Sequence, residues 1–420
     1  MEKPTDRNIT GLSIMKFLFT KNAVLNNKPW FLLSGTFLSV LSSFFIIPYY
    51  VVYLYQALGM SVLQISLLLM LRATLEKGLT LPAGMMADNI GAKKVALLGI
   101  ALRIIGLILL ADAHTFTGLA AAALLNGVGL ACGMIASKKA MLELIDSDMK
   151  AFASIGLAIN MGVAFGPLFG YLMIGYDFAF LCYANAAGLV VVAVIYLMAL
   201  SNFPSSHTDR QRASPWQWLS MIRRVNIRPL FLMQLCFFYF YTFLELVFPL
   251  YSSLNISLLA SAMTFTINAV TVILSNLFII RRVKTADIEL SYGFLVFSVA
   301  FILIAISSLL DSPLQLVFYA LGIFFFSIAE VFFTVMIDAQ AIANAPPNAN
   351  GTIMGILGLF SMTGVGLGYT LNGILFGYFH SHDIDPWFWV CFIAISGLFF
   401  VIALAVSRSC KGNGARHRSG

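Results

Sequence analysis

The stretch GMMADNIGAKK, from Gly84 to Lys94, separates two long apolar runs. The run before it is mostly Leu, Met and Ile, and the chain is apolar again over residues 95–111. One aspartate, two glycines and two lysines are concentrated in this short gap. The pattern predicts a tight loop between two helices, in which Gly84 lets the helices approach closely and Gly91 permits a sharp turn.

The composition is typical of a membrane protein. Of the 420 residues, 60% are hydrophobic and 10% are charged, and the mean hydropathy is +0.91. Soluble domains carry about 25% charged residues, so this chain suits a lipid bilayer rather than water. The net charge of +7 does not indicate a nucleic-acid partner, because the positions of the basic residues are explained by membrane topology.

Twelve apolar runs are long enough to cross a bilayer, which takes about 20 residues of helix. We therefore predict an all-α integral membrane protein. The eleventh run is rich in glycine, so we expect that its helix could be bent. The runs cover residues 30–55, 62–86, 95–111, 117–137, 151–174, 178–200, 229–252, 258–280, 288–310, 313–337, 351–378 and 387–407.

The Lys and Arg residues predict the orientation in the membrane. If both termini are cytoplasmic, then of the 25 basic residues only Arg72, Lys77 and Arg103 fall outside cytoplasmic segments, and these three lie within spans. No external loop carries a Lys or an Arg. This is the distribution that the positive-inside rule describes, so we predict that both termini are cytoplasmic.

A polar segment from Ser201 to Arg228 divides six spans from six, and the two halves echo each other. Three glycines of the fifth span recur at the same spacing in the eleventh: Gly156, Gly162 and Gly166 correspond to Gly358, Gly364 and Gly368. Repeats of six helices are typical of secondary transporters, which bind substrate near the bilayer midplane between the halves. The predicted segments are a cytoplasmic lead (1–29), two bundles (30–200 and 229–407), a linker (201–228) and a basic tail (408–420).

The opening stretch resembles the loop motif of the major facilitator superfamily, G-x-x-x-D-[R/K]-x-G-x-[R/K]-[R/K]. The matching residues are Gly84, Asp88, Gly91, Lys93 and Lys94, while Asn89 stands where the family usually has Arg or Lys. The resemblance implies that Asp88 latches the two halves when the cytoplasmic side is closed. Its expected partners are the N-terminal end of the eleventh span, through the helix dipole, and Lys138, Lys139 and Glu143.

A second stretch, GVAFGPLFGY, is similar to the fifth-helix motif of proton-driven exporters in that family. Gly162, Gly166, Pro167 and Gly170 match, whereas Tyr171 replaces a glycine. Such a helix face either packs closely against a neighbour or weakens the helix for rocking movements, and both interpretations stay open. The chain looks most like bacterial twelve-helix drug/proton antiporters. That resemblance implies two pseudo-symmetric six-helix bundles, a monomer in the bacterial inner membrane, and proton-coupled export.

Ionisable groups within spans are candidates for function, because burying a charge in lipid costs several kcal/mol. Arg72 and Glu76 are four residues apart and share a helix face, which favours a structural pair. Arg103 lies on the third span, and the resemblance implies that this helix is on the outside of the bundle. Glu245 and Glu330 lie in spans that line the central cavity of the family, and neither has a basic partner in its own span. We expect Glu245 or Glu330 to carry the coupled proton, with Glu76 as the next candidate.

Aromatic and polar residues form stripes beside the two glutamates. These stripes suit a large, partly apolar or cationic substrate, although they also suit ordinary helix packing. Near the outer end of the first span, Tyr49 and Tyr53 are either interfacial anchors or cavity residues. The candidates for the substrate cavity are Tyr49, Tyr53, Asn126, Gln234, Phe238, Tyr241, Tyr319 and Phe326.

Other kinds of site are not indicated. The chain has no phosphate-binding Gly-rich loop and no hydrolase or metalloprotease motif, so we predict neither an enzyme nor a cofactor. The five cysteines have no spacing of a metal site or a disulfide framework. His380 and His382 favour a solvated loop over a metal site. The remaining alternatives are a siderophore or metabolite exporter, a proton symporter, and a non-transporting membrane sensor or assembly protein.

Overall fold

The computed structural model describes residues 28–144, 148–173, 175–199, 228–282, 290–343 and 350–416. Across these ranges the chain is helical and contains no β-strand. Helices are expected here because a backbone surrounded by lipid must satisfy its hydrogen bonds within itself.

The N-terminal half contains six spans. The first continues past its α-helix into one π-helical turn at Tyr53–Ala57, and the second is broken into two helices. The helices are α1 (Lys28–Val52), α2a (Val62–Gly78), α2b (Thr80–Ile90), α3 (Ala92–Asp112), α4 (Phe116–Leu144), α5 (Asp148–Leu172) and α6 (Phe178–Ala199).

The C-terminal half also contains six spans, and its first span is again broken. The helices are α7a (Arg228–Glu245), α7b (Val247–Asn255), α8 (Leu258–Arg282), α9 (Tyr292–Ser307), α10 (Leu314–Ala343), α11 (Asn350–Ser381) and α12 (Asp385–Arg416). We call the end of the molecule that carries Ala199 and Arg228 the linker end.

Among the described residues, ten helical segments are long and apolar enough to cross a membrane. The apolar α9 and the broken α2 are the other two spans, so the predicted fold of two six-helix bundles is confirmed. The glycine-rich eleventh span forms one unbroken helix of 32 residues, α11.

Two spans are interrupted near a proline, Pro82 in span 2 and Pro249 in span 7. Proline has no N–H, so Pro82 cannot bond the carbonyl of Gly78, and Pro249 cannot bond that of Glu245. The helix breaks at Leu79 in span 2 and at Leu246 in span 7.

The opening stretch is mostly helical, which corrects the prediction of a loop. Helix α2b continues through Asp88 to Ile90, and α3 begins at Ala92. Only Gly91 interrupts them, with a φ of 94° that confirms its role in the turn. The expected close approach at Gly84 is not required, since an added Cβ would lie 3.7 Å from Ile135, an ordinary contact distance.

The glycines of α5 hold it directly against α1. A Cβ added at Gly162 would lie 2.8 Å from Val40, and one added at Gly166 would lie 2.8 Å from the carbonyl oxygen of Leu41. Close backbone contact of this kind is how helices associate in lipid. The repeat does the same in the other half, where Gly368 packs α11 against Tyr239 of α7a. The glycine motif therefore serves packing between neighbouring helices of one half.

The two halves meet along two helix pairs, α2a with α11 and α5 with α8. Small residues again allow the contact, because Gly373 and Gly377 of α11 face Ser66 and Val62 of α2a. A hydrogen bond of 2.9 Å joins Thr266 Oγ1 of α8 to the carbonyl of Ala164 of α5. The N-terminal side of the boundary is therefore formed by α2a and α5, and the C-terminal side by α8 and α11.

We predict that Gly166→Ala destabilises the protein and that Gly156→Ala does not. The added methyl group at position 166 would overlap the α1 backbone and cost about 1–3 kcal/mol. Position 156 is the matched control, because an added Cβ there meets nothing within 4 Å. Thermal unfolding in detergent tests this, and equal melting temperatures for the two variants would contradict the packing role of the motif.

Candidate functional site

Four ionisable side chains and one tyrosine form a cluster at the boundary between the halves, which we call the interface cluster. Arg72 of α2a donates to the Glu245 carboxylate of α7a, and its other Nη lies 3.4 Å from Glu76. Lys77 Nζ lies 2.9 Å from Glu76 Oε1. The Tyr369 hydroxyl of α11 donates to Glu245 Oε2 at 2.7 Å. The cluster therefore joins one helix of the N-terminal half to two helices of the C-terminal half.

Burial makes this pairing important. The side chains of Arg72, Glu76 and Glu245 are only 13–14% exposed, and that of Lys77 is 29% exposed. The two cations and two carboxylates balance, which is how buried charge is tolerated in a low-dielectric interior. Removing any one of them would leave an uncompensated charge.

The helix breaks lie beside this cluster. Glu245 is the last residue of α7a, and Glu76 and Lys77 lie in the last turn of α2a. Discontinuous helices near the bilayer midplane are where secondary transporters build binding sites. The interface cluster therefore has the position and the local backbone expected of a functional site.

Glu330 lies apart from the interface cluster, within the C-terminal half. Asn268 Nδ2 of α8 donates to its Oε2 at 2.6 Å and also to Ser327 Oγ at 3.0 Å. In the described part of the chain, no Lys, Arg or His lies within 4 Å of its carboxylate. Tyr241 of α7a is close enough to interact electrostatically with both Glu330 and Glu245.

The two predicted stripes differ in their surroundings. On α7a, Gln234, Phe238 and Tyr241 are half-buried, and Gln234 Nε2 donates to Ser361 Oγ of α11 at 2.9 Å. On α10, Tyr319 and Phe326 are fully buried inside the C-terminal half. The Tyr319 hydroxyl lies 2.7 Å from Thr264 Oγ1, and Phe326 packs edge-on against Phe248. Tyr319 and Phe326 are thus bundle-core residues, which corrects their expected place in a substrate cavity.

The candidates on α1 and α4 have structural contacts within the N-terminal half. The Tyr49 hydroxyl donates to the carbonyl of Pro167 at 2.7 Å, so it ties α1 to the glycine motif of α5. The Tyr53 ring stacks on Phe178 with centroids 4.0 Å apart. Asn126 Nδ2 donates to the carbonyl of Ala122 at 3.0 Å and the side chain lines an internal cavity.

Asp88 has its partner in its own half. Lys139 Nζ of α4 donates to Asp88 Oδ1 at 2.8 Å and to the carbonyl of Ala87 at 2.9 Å. Lys93 Nζ instead donates to the carbonyl of Leu197 at 3.0 Å, and Lys94 is exposed. Of the predicted partners, Lys139 is therefore found, whereas the side chain of Glu143 lies outside the described residues.

Arg103 is buried, although its helix also carries an exposed face. Its side chain crosses to α1, where Nη1 donates to Ser39 Oγ at 2.7 Å and Nη2 bonds the Ser39 carbonyl and Ser43 Oγ. The Arg103 side chain can be buried because Gly129 of α4, which has no side chain, leaves room for it.

Sequence reasoning also missed two partner residues, Tyr369 and Asn268. Each is a polar residue in an apolar span, which is a weak signal on its own, since such residues often only bond their own helix. Their partners lie on other helices, so their importance depends on the packing.

This combination of features defines a class of protein. Two six-helix bundles are related by an internal repeat, and their boundary holds a buried, balanced charge cluster next to broken helices. Those are the features of a secondary membrane transporter.

Comparison with known proteins identifies the family. The Major Facilitator Superfamily profile matches residues 32–369, and the chain belongs to that family. It is similar to the uncharacterized MFS-type transporter YttB of Bacillus subtilis, with 25% identity over 64% of this chain and 70% of YttB. It is also similar to the multidrug resistance protein MdtH of Photorhabdus laumondii, with 25% identity over 89% of this chain and 93% of that protein.

Solved structures show the same fold at low sequence identity. The nucleoside transporter NupG superposes with a TM-score of 0.72 at 16% identity, covering 90% of this chain and 99% of NupG. A POT family transporter in complex with 5-aminolevulinic acid superposes with a TM-score of 0.76 at 15% identity, covering 92% of this chain and 97% of that one. The chain is thus a multi-pass membrane transporter, whose partners are the lipid bilayer and a small-molecule substrate.

We predict strong energetic coupling between Arg72 and Glu245. Arg72→Met alone leaves a buried carboxylate without its partner and should cost about 3–5 kcal/mol. The double variant Arg72→Met/Glu245→Gln should lose clearly less than the sum of the two single losses. Thermal unfolding of purified protein measures each value.

The pair Asp88–Lys139, whose carboxylate is exposed, provides the control cycle. Asp88 is 55% exposed, so the coupling between Asp88→Asn and Lys139→Met should be about 0–1 kcal/mol. If the losses for Arg72 and Glu245 simply add, the pair does not hold the halves together.

Proposed function

We propose that this protein exports small organic molecules, including drugs, by proton antiport and alternating access. The single observation that carries the proposal is the ion pair between Arg72 and Glu245. It is buried, it crosses between the halves, and one of its members can be neutralised by a proton. Alternating access requires the contacts between the halves to break and re-form, so a proton-sensitive contact at this place can couple the two processes.

The neighbouring residues give Arg72 an alternative partner. While Glu245 is ionised, its carboxylate accepts from Arg72 and Tyr369. A proton on Glu245 removes the negative charge and weakens the bond across the boundary. Arg72 then remains paired with Glu76 on its own helix. Protonation therefore releases the C-terminal half, and Arg72 and Lys77 then share the single carboxylate of Glu76.

Glu330 serves as a second proton station in this mechanism. It is half-buried and bonded to a neutral amide rather than to a cation. Tyr241 is half-buried and close enough to both carboxylates to interact with them electrostatically. Its hydroxyl can both donate and accept, so it could relay a proton between Glu245 and Glu330.

The substrate would bind beside these groups. Gln234, Phe238 and Tyr241 form a half-buried stripe of mixed aromatic and polar character on α7a. Such a surface suits large, partly apolar cations. The MdtH relatives are named multidrug resistance proteins, which supports drugs as one substrate class.

We further propose a bacterial cytoplasmic membrane location, with the linker end and both termini in the cytoplasm and the protein working as a monomer. The positive-inside distribution of Lys and Arg supports this orientation. The loop motif would act as a latch at that end. In this structure Asp88 is held by Lys139 within the N-terminal half, so engagement of the C-terminal half would require Asp88 to exchange partners.

Everted membrane vesicles test the proton coupling. The vesicles are energised to an acidic interior, and ethidium, a planar aromatic cation, is then added. Vesicles that contain the unmodified protein, here called the parent, should accumulate ethidium and release protons. Glu245→Gln and Glu330→Gln should each abolish ethidium-driven proton release, since an amide cannot be protonated at these pH values.

Asp177→Asn is the matched control, because it removes an exposed loop carboxylate and should behave like the parent. Normal proton release by both glutamine variants, at equal protein levels, would show that neither carboxylate carries the coupled proton.

A further inference from the structure

A cavity of about 80 Å³ lies inside the N-terminal half, away from the α7a stripe. All of its lining residues come from α1, α2a, α3, α4 and α6. Its polar lining consists of Ser43, Tyr50, Arg72, Arg103, Asn126 and Asn185. A second cavity of about 60 Å³ shares Ser43 and Arg103 with it, so the Arg103 guanidinium is reached from both spaces.

Arg103 brings a positive charge that its surroundings do not neutralise. The side chain of this residue is buried, and its partners are two serine hydroxyls and one carbonyl oxygen. No carboxylate lies within 4 Å of it in the described part of the chain. Since the interface cluster is balanced without it, Arg103 is a buried positive charge that the cluster does not offset. An uncompensated buried cation is costly.

Two further polar groups at the cavity have no protein partner. Asn185 is 4% exposed, and its buried Oδ1 has no hydrogen-bond donor near it. A side-chain amide turned by 180° exchanges oxygen and nitrogen, so the same position can present an N–H to an anion. The Tyr50 hydroxyl lines the cavity and makes no hydrogen bond with the described residues. Unused donors therefore accompany the unneutralised charge.

We propose that this cavity binds one small monovalent anion, of the size and charge of chloride. The Arg103 guanidinium would supply the charge, and the Asn185 amide and Tyr50 hydroxyl would donate hydrogen bonds. A site of about 80 Å³ has room for such an ion with a few water molecules, because one water needs only about 10–15 Å³ of this space. The anion is a resident ligand rather than the transported substrate, since the lining comes from one half and movement between the halves does not open it.

The site is linked to the interface cluster through Arg72. Arg72 lines the cavity and also pairs with Glu245. When Glu245 loses its charge, Arg72 keeps less negative charge around it, and the cavity becomes more positive. The anion should then bind more tightly. This link rests only on the ion pair, and the site can be tested without any transport measurement.

Chloride binding to the purified protein in detergent tests the site. The melting temperature is followed while sodium chloride replaces sodium gluconate at constant ionic strength, because gluconate is too large for the cavity. The parent should be stabilised in a saturable way. Glu245→Gln should shift the chloride midpoint to a concentration at least about tenfold lower, as expected for removing one nearby negative charge. Arg103→Gln should abolish the response.

Ala123→Leu is a second variant, which tests the site even if Arg103→Gln fails to fold. Ala123 lines the cavity and is buried, so leucine fills the space and leaves every polar group in place; it should also abolish the chloride response. Lys94→Gln, which removes an exposed cation, should respond like the parent. No saturable response in the parent, or an unchanged response in Ala123→Leu, would overturn the site. An unchanged chloride midpoint in Glu245→Gln would overturn the link to Arg72.

Discussion

Hydrocarbon cannot solvate charge, and the rest of the structure depends on how this chain meets that constraint. Arg72, Glu76 and Lys77 lie within one span and carry one positive charge in excess. The missing negative charge is Glu245, which belongs to the other half. The charges of this span are therefore balanced only when the C-terminal half is docked against it. In the alternating-access cycle that we propose, this dependence is the means of control.

The packing around the cluster divides the molecule into parts that stay together and parts that can move. Within each half, glycine positions bring helix backbones into direct contact, α5 with α1 and α11 with α7a. Such contacts have no room for sliding. The breaks at Leu79 and Leu246 lie instead in the helices that carry the interface cluster. Local bending is therefore available next to the charges, while each bundle stays firmly packed.

Much of the fold could be predicted from the sequence because lipid imposes simple rules of length, apolarity and charge placement. The exceptions have physical causes. Gly84 to Ile90 continues as helix, since only Gly91, with its positive φ, departs from a helical conformation. Tyr319 and Phe326 fell on a plausible cavity stripe, but helical period alone does not tell which face meets solvent and which meets a neighbouring helix.

Pairings between spans were the least accessible part of the site. Arg72 and Glu245 each lie about ten residues from the same end of the bundle, or about 15 Å at 1.5 Å per residue. Their matching depth and opposite charge could have suggested the pair. The Asn268 bond to Glu330 and the burial of Arg103, in contrast, depend on the rotational orientation of each helix about its own axis. A single sequence does not determine that orientation. A small residue such as Gly129 matters only because a side chain of another helix, here Arg103, occupies the space beside it.

The central claim is that protonation of Glu245 loosens the contact between the halves. Spin labels are attached to Met85→Cys on α2b and Tyr292→Cys on α9 in a cysteine-free background. Double electron–electron resonance then measures the distance between the two labels at the linker end. We predict that the distance distribution of the parent shifts between alkaline and acidic pH. The Glu245→Gln variant should show the acidic distribution at both pH values. If parent and variant give the same distribution at every pH, the ion pair does not couple the proton to movement of the halves.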